Sequence, residues 1–451
     1  MLASRRADEI DRMPTPMSGG PNSMSVTGWR CATCGNEVPI SVTGAFRCPN
    51  AATLDPRHVL QIVASSNVAA SDEIRHQPAT WGQQTFIDHD NDLAWAAHAH
   101  AHGMTREARD ALVRDLDAAI AAVGGVGFAA TPFARSEVLS EEFGMIADGG
   151  VWVKDETGGV GGSQKARFLF STLLHLRAAE DLGLLTARPP LAIASCGNAA
   201  LAAATLAKAA DWPIDVYVPT WMSDGFGDRL DELGARVHRC ERRPGDPAGD
   251  PAMLRFRQAV AAGAVPFTVQ GPENGLCLDG GRTLGWEICE QARASGAGPF
   301  DRLFVQVGGG AFAAAVGDAA NTACGPIPLH AVQTEGCAPF ERAWQRAVGI
   351  ANPAVHWAEM MTVWEDPESL ADGILDDETY DWVGVLDAVR ASGGRPVIAP
   401  EPMVIEAHGL AHRAGFDASP TGSAGLAGAL AIRSDIGADE RIVVIMSGVT
   451  R

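Results

Sequence analysis

The spacing of apolar residues changes along the chain, and from about residue 150 it follows a regular cycle. Short runs with the alternating or wholly apolar pattern of strands are separated by longer stretches in which apolar residues recur at helical spacing. Because strands that alternate with helices form parallel sheets, the pattern predicts an α/β protein. Its length favours two open parallel sheets with a cleft between them, with ligands at the carboxyl ends of the strands. The strand-like runs begin at Val151, Leu191, Ile214, Ala235, Val265, Arg302, Leu329 and Arg441.

The chain before residue 130 follows a different pattern. Residues 1–25 are rich in Ser, Pro, Gly and Met and are predicted to form a flexible tail. A short cysteine-bearing segment follows at 26–60, and residues 61–129 are predicted to form a helical extension. Its main helix is expected from Thr105 to Val123, with Thr105 as the N-cap and two glycines after Val123 as the stop.

Charge and composition exclude several classes of function. A formal net charge of -20 over 451 residues disfavours binding to nucleic acid or to an anionic membrane surface, because both need clustered Lys and Arg. The most apolar long stretch, 191–210, contains Asn198 and Lys208 and is therefore not a membrane span. Nine cysteines, an odd number and mostly isolated, fit a reducing cytoplasm better than a disulfide framework. Since no apolar segment follows the charged start, we expect a cytoplasmic protein.

Two glycine-rich segments stand where strands meet helices. In KDETGGVGGSQKAR, from Lys154, the second lysine, Lys165, lies in the first turn of the following helix. A lysine there can form an imine with an aldehyde cofactor if its surroundings lower its pKa, although alone it is better explained as a solvated helix-start residue. Gly308, Gly309 and Gly310 follow a strand and open an Ala-rich helix. Such a run cradles a phosphate on backbone amides, or is simply a tight turn.

Three further segments stand at strand ends. In ASCGNAALA, from Ala194, a turn leads into a helix whose backbone N–H groups can hold a carboxylate. The alternative there is an ordinary connection with Asn198 as the helix cap. DGGRTLGWEI begins at Asp279, and Ser447 follows the last strand. A serine at a strand end carries no chemistry by itself.

Together, in this order and spacing, these segments resemble the fold type II enzymes that depend on pyridoxal 5′-phosphate (PLP). That group includes threonine synthase, threonine dehydratase and the tryptophan synthase β subunit, and the resemblance runs from about Ala130 to the C-terminus. DGGRTLGWEI, the ADGI at 371 and DASPTGSAGLAG from Asp417 look most like threonine synthase and threonine dehydratase. The resemblance implies an α/β fold with two parallel-sheet domains and a PLP cleft between them. The larger domain would comprise 130–175 and 285–451, and the smaller substrate domain 176–284. It also implies a homodimer.

The resemblance also assigns roles to individual residues. Lys165 matches the lysine that carries PLP and moves protons, and Asn198 matches the residue that hydrogen-bonds the cofactor O3′. A hydroxyl rather than a carboxylate at the pyridine nitrogen leaves the ring a weaker electron sink, which suits elimination or replacement. The remaining implied site residues are Ser195, Gly197 and Ala199 for the substrate carboxylate, Gly308, Gly309 and Gly310 for the phosphate, and Ser447 for the pyridine nitrogen.

The reaction is predicted to be elimination from a small amino acid, as in serine and threonine dehydratases. Threonine synthase reads S-F-K-D-R around its lysine, whereas this chain reads S-Q-K-A-R, and its motifs offer only Lys154, Arg167 and Arg282 to bind a substrate phosphate. K-A-R is also similar to D-serine dehydratase. The alternative is threonine synthase or another PLP-dependent replacement enzyme, and a non-catalytic PLP-binding homologue is a further one.

A cysteine segment precedes these motifs. Cys31 and Cys34, with Cys48 after them, resemble the zinc-ribbon-like start of many threonine synthases. A complete ribbon needs a second pair of cysteines, and the nearest substitute for the missing ligand is His58. We therefore expect a degenerate, metal-free ribbon, and no catalytic metal.

Overall fold

The computed structural model describes residues 24–52, 57–65, 84–146 and 148–450. The predicted flexible tail, 1–25, lies outside the described residues except for its last two positions. Ser25, one of those two, is buried and donates a hydrogen bond from its Oγ to Asp92 Oδ1 at 2.9 Å.

Thirteen strands are present in the described part of the chain. They form a three-stranded, a six-stranded and a four-stranded sheet. The strands are β1 Val26–Cys31, β2 Glu37–Pro39, β3 Leu60–Ala64, β4 Phe133–Ser136, β5 Gly150–Asp155, β6 Leu191–Ala194, β7 Ile214–Pro219, β8 Arg236–Cys240, β9 Val265–Pro266, β10 Arg302–Gln306, β11 Leu329–Thr334, β12 Arg395–Ala399 and β13 Arg441–Met446.

Helices cover the faces of the two larger sheets. The predicted extension helix is α3, with the Thr105 side chain accepting from Ala108 N and Gly125 as its left-handed C-cap. The helices are α1 Thr85–Asp88, α2 Ala94–Ala101, α3 Arg106–Gly124, α4 Glu137–Glu142, α5 Lys165–Asp181, α6 Asn198–Ala209, α7 Asp224–Glu232, α8 Pro251–Ala261, α9 Cys277–Ser295, α10 Ala311–Ala323, α11 Pro339–Arg346, α12 Trp357–Met360, α13 Trp382–Ser392, α14 Glu401–Arg413 and α15 Ala424–Ala431.

The two larger sheets confirm the predicted α/β class. The six-stranded sheet has the order β12-β11-β10-β13-β5-β4, and only its edge strand β4 is antiparallel to its neighbour. The four-stranded sheet, β8-β7-β6-β9, is parallel throughout. Its strands come from 191–266, whereas the larger sheet takes its strands from 133–155 and 302–446. Buried helices on the strand faces leave the carboxyl ends of the central strands open for a site.

In the two larger sheets the sequence missed two strands and overextended a third, and it predicted none of the three strands β1, β2 and β3. β4 and β12 lie at the two edges of the larger sheet and are partly exposed, so neither shows the apolar pattern of a buried strand. The run at Val265 forms only a two-residue strand. The expectation against disulfides is also corrected, because Cys289 of α9 is bonded to Cys324 at the end of α10.

The cysteine segment forms a small antiparallel sheet with the order β2-β1-β3. Its loop at 40–44 is held to the main body by three histidines: His98 and His102 interact with the carbonyl oxygens of Ile40 and Ser41, and Gly44 N donates to His175 Nε2. Burial lowers the pKa of His175 to about 3, so its ring is neutral and can accept that bond.

No helix in the described ranges combines the length and apolarity needed to cross a membrane.

Candidate active site

A cavity of about 1660 Å³ opens where the central strands of both larger sheets end. Its walls come from the segments that follow β6, β10 and β13 and from the start of α5. The structure therefore brings together residues that are far apart in the sequence. Every predicted site residue lines it: Lys165, Ser195, Gly197, Asn198, Ala199, Gly308, Gly309, Gly310 and Ser447.

The whole sequence contains three lysines, and the structure places them in three different environments. Lys154 has no exposed side-chain surface and pairs with Glu287 at 2.6 Å. Lys208 donates to the carbonyl oxygen of Glu232 at 2.8 Å. Only Lys165 lines the cavity. If any lysine of this chain carries an aldehyde cofactor in the cavity, it is therefore Lys165.

The turn before Lys165 is built from glycines for a local reason. Gly161 and Gly162 have φ angles of +67° and +68°, where a residue with a Cβ is strained. A Cβ on Gly162 would also lie 2.7 Å from Val449 Cγ2. The N–H of Gln164, the N-cap of α5, then donates to Ser447 O at 3.0 Å. These contacts join the start of α5 to the C-terminal strand and direct Lys165 into the cavity.

Ser447 is held by a buried glutamine that the sequence analysis missed. Gln306, the last residue of β10, donates from Nε2 to Ser447 Oγ at 2.7 Å. The same amide donates to the carbonyl oxygens of Thr421 and Gly422. Because Ser447 Oγ accepts from Gln306, its own hydrogen is left to point elsewhere. A glutamine two residues before the glycine run was the sequence signal for this contact.

The turn after β6 places Asn198 beside the C-terminal segment. The N-cap of α6 is Gly197, not Asn198 as the simpler interpretation had it, and Asn198 is the first helical residue. Asn198 Nδ2 donates to Val449 O at 3.1 Å, and Gly197 N donates to Ser195 Oγ at 3.3 Å. The N-terminus of α6, with its unpaired backbone donors, therefore faces the cavity.

The glycine run is packed closely by the segment 374–381. A Cβ on Gly308 would lie 2.5 Å from Asp376 Oδ2, and one on Gly309 would lie 3.1 Å from Tyr380 Cδ2. Gly310, the N-cap of α10, has a φ of +98°. Larger residues would push this segment away from the backbone of the run. The run therefore needs glycine for close approach as well as for its turn.

Asp376 is a second cavity residue that the sequence analysis missed, although it stands only two residues after the ADGI motif. Its carboxylate accepts from the backbone N–H of Gly309, so an acidic oxygen already binds to the glycine run. Burial raises the pKa of Asp376 to about 6, against the lowering effect of the Lys165 charge. The run thus has the donors that an anion requires.

The family of this chain follows from a comparison of its sequence with known families. Residues 125–448 match the family described as "Pyridoxal-phosphate dependent enzyme". The chain belongs to this family. The match spans every predicted site residue, and members of the family bind pyridoxal phosphate. No curated protein matches the chain.

Solved structures of the same fold confirm the predicted fold type II architecture. A threonine deaminase from T.th. is 22% identical, with a TM-score of 0.57 over 75% of this chain and 98% of that one. Maize serine racemase is 18% identical, with a TM-score of 0.58 over 74% and 92% of the two chains. Diaminopropionate ammonia lyase from Escherichia coli is 17% identical, with a TM-score of 0.58 over 76% and 89%.

The cavity of this PLP-dependent family member fits the cofactor by its own chemistry. The glycine run offers N–H donors to a phosphate, and Lys165 offers an amine to the aldehyde. Within the described residues, Ser163 Oγ, Gln164 Oε1 and Gln306 Oε1 are buried without a hydrogen-bond partner. All three residues line the cavity, so its wall retains polar atoms that a bound polar group can satisfy.

Three arginines line the cavity, and they are not the ones predicted. Arg57 and Arg229 are exposed, and Arg257 pairs with Glu273 at 2.7 Å. Lys154, Arg167 and Arg282, the cations of the motifs, do not line it. The sequence argument from a shortage of cations was therefore wrong, because cations from other parts of the chain fold into the cavity wall.

Lys154 and Arg167 instead form a buried ionic cluster with Glu156 and Glu287. Arg167 Nε lies 2.8 Å from Glu156 Oε2, and Arg167 Nη1 lies 2.6 Å from Glu287 Oε1. Burial alone raises the pKa of Glu287, but the charges of Arg167 and Lys154 outweigh it and lower this pKa to about 2. Buried charges are tolerated when they are paired in this way.

The motif DGGRTLGWEI is structural in this chain and lies within α9, outside the cavity wall. Asp279 accepts from the backbone N–H groups of Ala94 and Trp95 at 2.9 and 3.1 Å, which satisfies the start of α2. Gly280 lies directly against the carbonyl oxygen of Arg167, so a Cβ there cannot fit. The motif locks α2 and α5 to α9 and supplies Glu287 to the ionic cluster.

The predicted ribbon cysteines lie away from this cavity. Cys31, Cys34, Cys48 and His58 come together, with one ligand atom of each within 4.8 Å of the others. His58, the predicted substitute for the missing fourth cysteine, therefore lies beside the three cysteines, where the segment leading into β3 places it.

Proposed function

We propose that this chain is a PLP-dependent lyase that eliminates a leaving group from the side chain of a small amino acid, in the manner of serine and threonine dehydratases. The observation that carries this proposal is the convergence of Lys165, the 195–199 turn, the glycine run and Ser447 on one cavity. When bound, PLP supplies an electron sink that stabilises negative charge at the substrate Cα.

The residues of the chain divide the work between them. Lys165 Nζ would hold the cofactor through its aldehyde, and the same amine would accept the proton from the substrate Cα. Backbone N–H groups of the 195–199 turn, at the start of α6, bind the substrate carboxylate. Gly308, Gly309 and Gly310 would hold the phosphate on their backbone N–H groups, and Asn198 would hydrogen-bond the cofactor O3′.

Ser447 favours elimination over transamination. Ser447 would bind the pyridine nitrogen, where a hydroxyl would stabilise a protonated ring less than a carboxylate does. The Gln306 contact fixes its orientation. Several proteins with solved structures of the same fold are eliminating enzymes by name, among them threonine deaminase, diaminopropionate ammonia lyase and a fungal L-serine ammonia-lyase. Others are racemases, so the fold alone does not choose the reaction.

The cavity arginines favour a second candidate, a replacement or elimination enzyme whose substrate has an acidic group at the far end of its side chain. Arg57, Arg229 and Arg257 can bind a phosphate or carboxylate through charge-assisted hydrogen bonds. A threonine synthase or a related replacement enzyme would use them in this way. The two candidates differ in substrate and product but share every step up to loss of the Cα proton.

A substrate panel distinguishes the candidates. Purified enzyme is incubated separately with both enantiomers of serine, threonine and 2,3-diaminopropionate, and with O-phosphoserine and O-phosphohomoserine, while 2-oxo acid, ammonia and inorganic phosphate are measured. The proposal predicts a 2-oxo acid and ammonia from at least one unphosphorylated substrate. Threonine and phosphate from O-phosphohomoserine, with no 2-oxo acid from the others, would establish the replacement reaction instead. Lys165→Ala protein is the matched control for background chemistry.

A further inference from the structure

The cysteine segment has the geometry of a tetrahedral metal site. Cys34 Sγ lies 3.6 Å from Cys48 Sγ, and Cys31 Sγ lies 3.4 Å from His58 Nδ1. Around a tetrahedral zinc ion, with Zn–S of about 2.3 Å and Zn–N of about 2.0 Å, neighbouring ligand atoms are roughly 3.5 to 3.8 Å apart. Two pairs of ligand atoms thus already stand close to the separations that zinc requires, and all four atoms lie within 4.8 Å of one another.

The backbone of the ribbon produces this arrangement. Gly35 N donates to Cys31 O at 2.9 Å, and its φ of +71° closes the tight turn that puts Cys31 and Cys34 on the same side. β3 pairs with β1 so that Leu60 lies opposite Cys31, which brings His58 back beside the turn. The site is therefore specified by a turn and a strand register, not by side-chain rotation alone.

The surroundings of the sulfur atoms also suit metal-bound thiolates. Asn50 Nδ2 donates to Cys34 Sγ at 3.4 Å. The backbone N–H groups of Asn36 and Asn50 form hydrogen bonds with Cys34 and Cys48. Donors of this kind orient ligand atoms and stabilise their negative charge. In the structure Cys34 and Cys48 are not bonded to each other, and both are free.

We infer that Cys31, Cys34, Cys48 and His58 bind one zinc ion. Three thiolates and one imidazole in a tetrahedral arrangement select zinc among the common divalent ions. Four protein ligands leave no open position for water or substrate, so the ion is structural. This inference does not depend on the reaction proposed for the cavity.

The ion also fixes one wall of that cavity. Arg57, which lines the cavity, directly precedes the ligand His58 in the sequence. Its carbonyl oxygen accepts from Thr33 Oγ1 at 2.8 Å, and Thr33 lies between two of the cysteine ligands. Zinc therefore holds the Arg57 backbone in place in two ways, through the neighbouring ligand His58 and through Thr33. Without the ion, the backbone around Arg57 loses this anchor.

Metal analysis of the full-length protein tests the inference. Wild type purified under reducing conditions should contain about one zinc per chain. Cys34→Ser and His58→Ala should each lose it, and His58→Cys should regain it, because a thiolate can fill the fourth position. Cys34 is exposed, so its replacement leaves the buried packing of the ribbon intact. Cys240→Ser, at a buried cysteine outside the cluster, is the matched control and should keep its zinc.

Two further measurements require neither zinc analysis nor catalytic activity. Cobalt in place of zinc should give intense visible bands of tetrahedral cobalt–thiolate coordination in wild type, and these should be lost in Cys34→Ser. Limited trypsin digestion should cut after Arg57 several-fold faster in Cys34→Ser than in Cys240→Ser. Wild type that takes up no zinc from a zinc-containing buffer, or Cys34→Ser that retains full zinc, overturns the inference. A Cys34–Cys48 disulfide in freshly reduced protein does the same.

Discussion

Lys154 and Lys165 belong to one continuous strand–turn–helix segment, yet their surroundings are opposite. Lys154 points into the ionic cluster, where its ammonium donates to Thr131 O, Glu287 Oε2 and Gln291 Oε1. An ammonium has three hydrogens, so all of its donors are used. Lys165 begins α5 and faces the cavity.

This difference shows how a fold separates a structural lysine from one available to chemistry. The ionic cluster is closed, because each of its charges is buried and paired, and its value lies in holding β5, α5 and α9 together. The cavity keeps buried polar atoms without partners and charged side chains on its wall. Satisfied polar groups stabilise a structure, whereas unsatisfied ones that face a cavity are ready for a ligand.

The largest effect is expected from Lys165→Ala. The variant should lose the visible absorbance of the lysine-linked cofactor and at least roughly 10³-fold in turnover, because both attachment and proton transfer are removed. Lys208→Ala should match wild type in both measurements. Borohydride reduction followed by peptide mapping should label Lys165 alone. Label on Lys154 would mean that the ionic cluster opens and that the contrast between the two lysines does not hold.

Glu287→Gln tests how much the buried ionic cluster contributes to the stability of the fold. Removing this charge leaves Lys154 and Arg167 buried with too few anions, which costs about 3–5 kcal/mol in the free energy of unfolding. Urea denaturation measures it. Glu440→Gln, which breaks a more exposed pair with Arg302, is the control and should cost less than about 1 kcal/mol. Equal losses in the two variants would show that the cluster gains nothing from its burial.

Gly309→Leu should weaken PLP binding while leaving the ionic cluster unchanged. The new side chain would push against Tyr380 and keep the phosphate from the backbone. We expect at least about a tenfold higher PLP dissociation constant, equivalent to roughly 1.4 kcal/mol. Gly158→Leu is the control, since a Cβ there meets no atom within 4 Å. An unchanged dissociation constant in Gly309→Leu would remove the glycine run from the cofactor site.

The sequence was sufficient to predict a cavity residue where one short segment contains both the residue and the strand end that positions it. Lys165, the glycine run and Ser447 each stand at the junction of a strand with the next turn or helix. Because parallel strands bring their carboxyl ends together, such residues converge without further information. The α/β class follows from the same strand–helix alternation.

Residues whose position depends on distant partners could not be predicted in this way. Arg257 reaches the cavity from α8, which has no motif, and Glu287 meets Lys154 only after α9 packs against α5 and β4. His58 was a candidate ligand from its sequence position alone, but the pairing of β1 with β3 that brings it to the cysteines was not predicted. Long-range packing decides these contacts, and local periodicity carries no information about it.

The smallest effect on stability and on PLP binding is expected from Asp376→Asn. Asp376 lines the open cavity, yet its own carboxyl group is buried. Burial raises the pKa of Asp376 from 3.8 to about 6, with Asp377 adding to the rise and Lys165 opposing it. A raised carboxyl pKa means that folding favours the neutral form. The resulting stability is therefore fully present below about pH 4 and is lost as the pH rises through about 6. The free energy of unfolding of Asp376→Asn, measured relative to wild type at each pH, should therefore rise between about pH 4 and pH 7.

The same ionisation should weaken cofactor binding, because charged Asp376 competes with the phosphate for the N–H of Gly309. Asparagine retains an oxygen that accepts this bond but carries no charge. The PLP dissociation constant of the variant should equal that of wild type near pH 5 and be several-fold lower near pH 7.5. PLP's own phosphate titrates near pH 6 in both proteins, so only the difference between the two titration curves reports on Asp376. Parallel curves across the range would mean that phosphate and Asp376 occupy separate places, and that the glycine run can hold both anions at once.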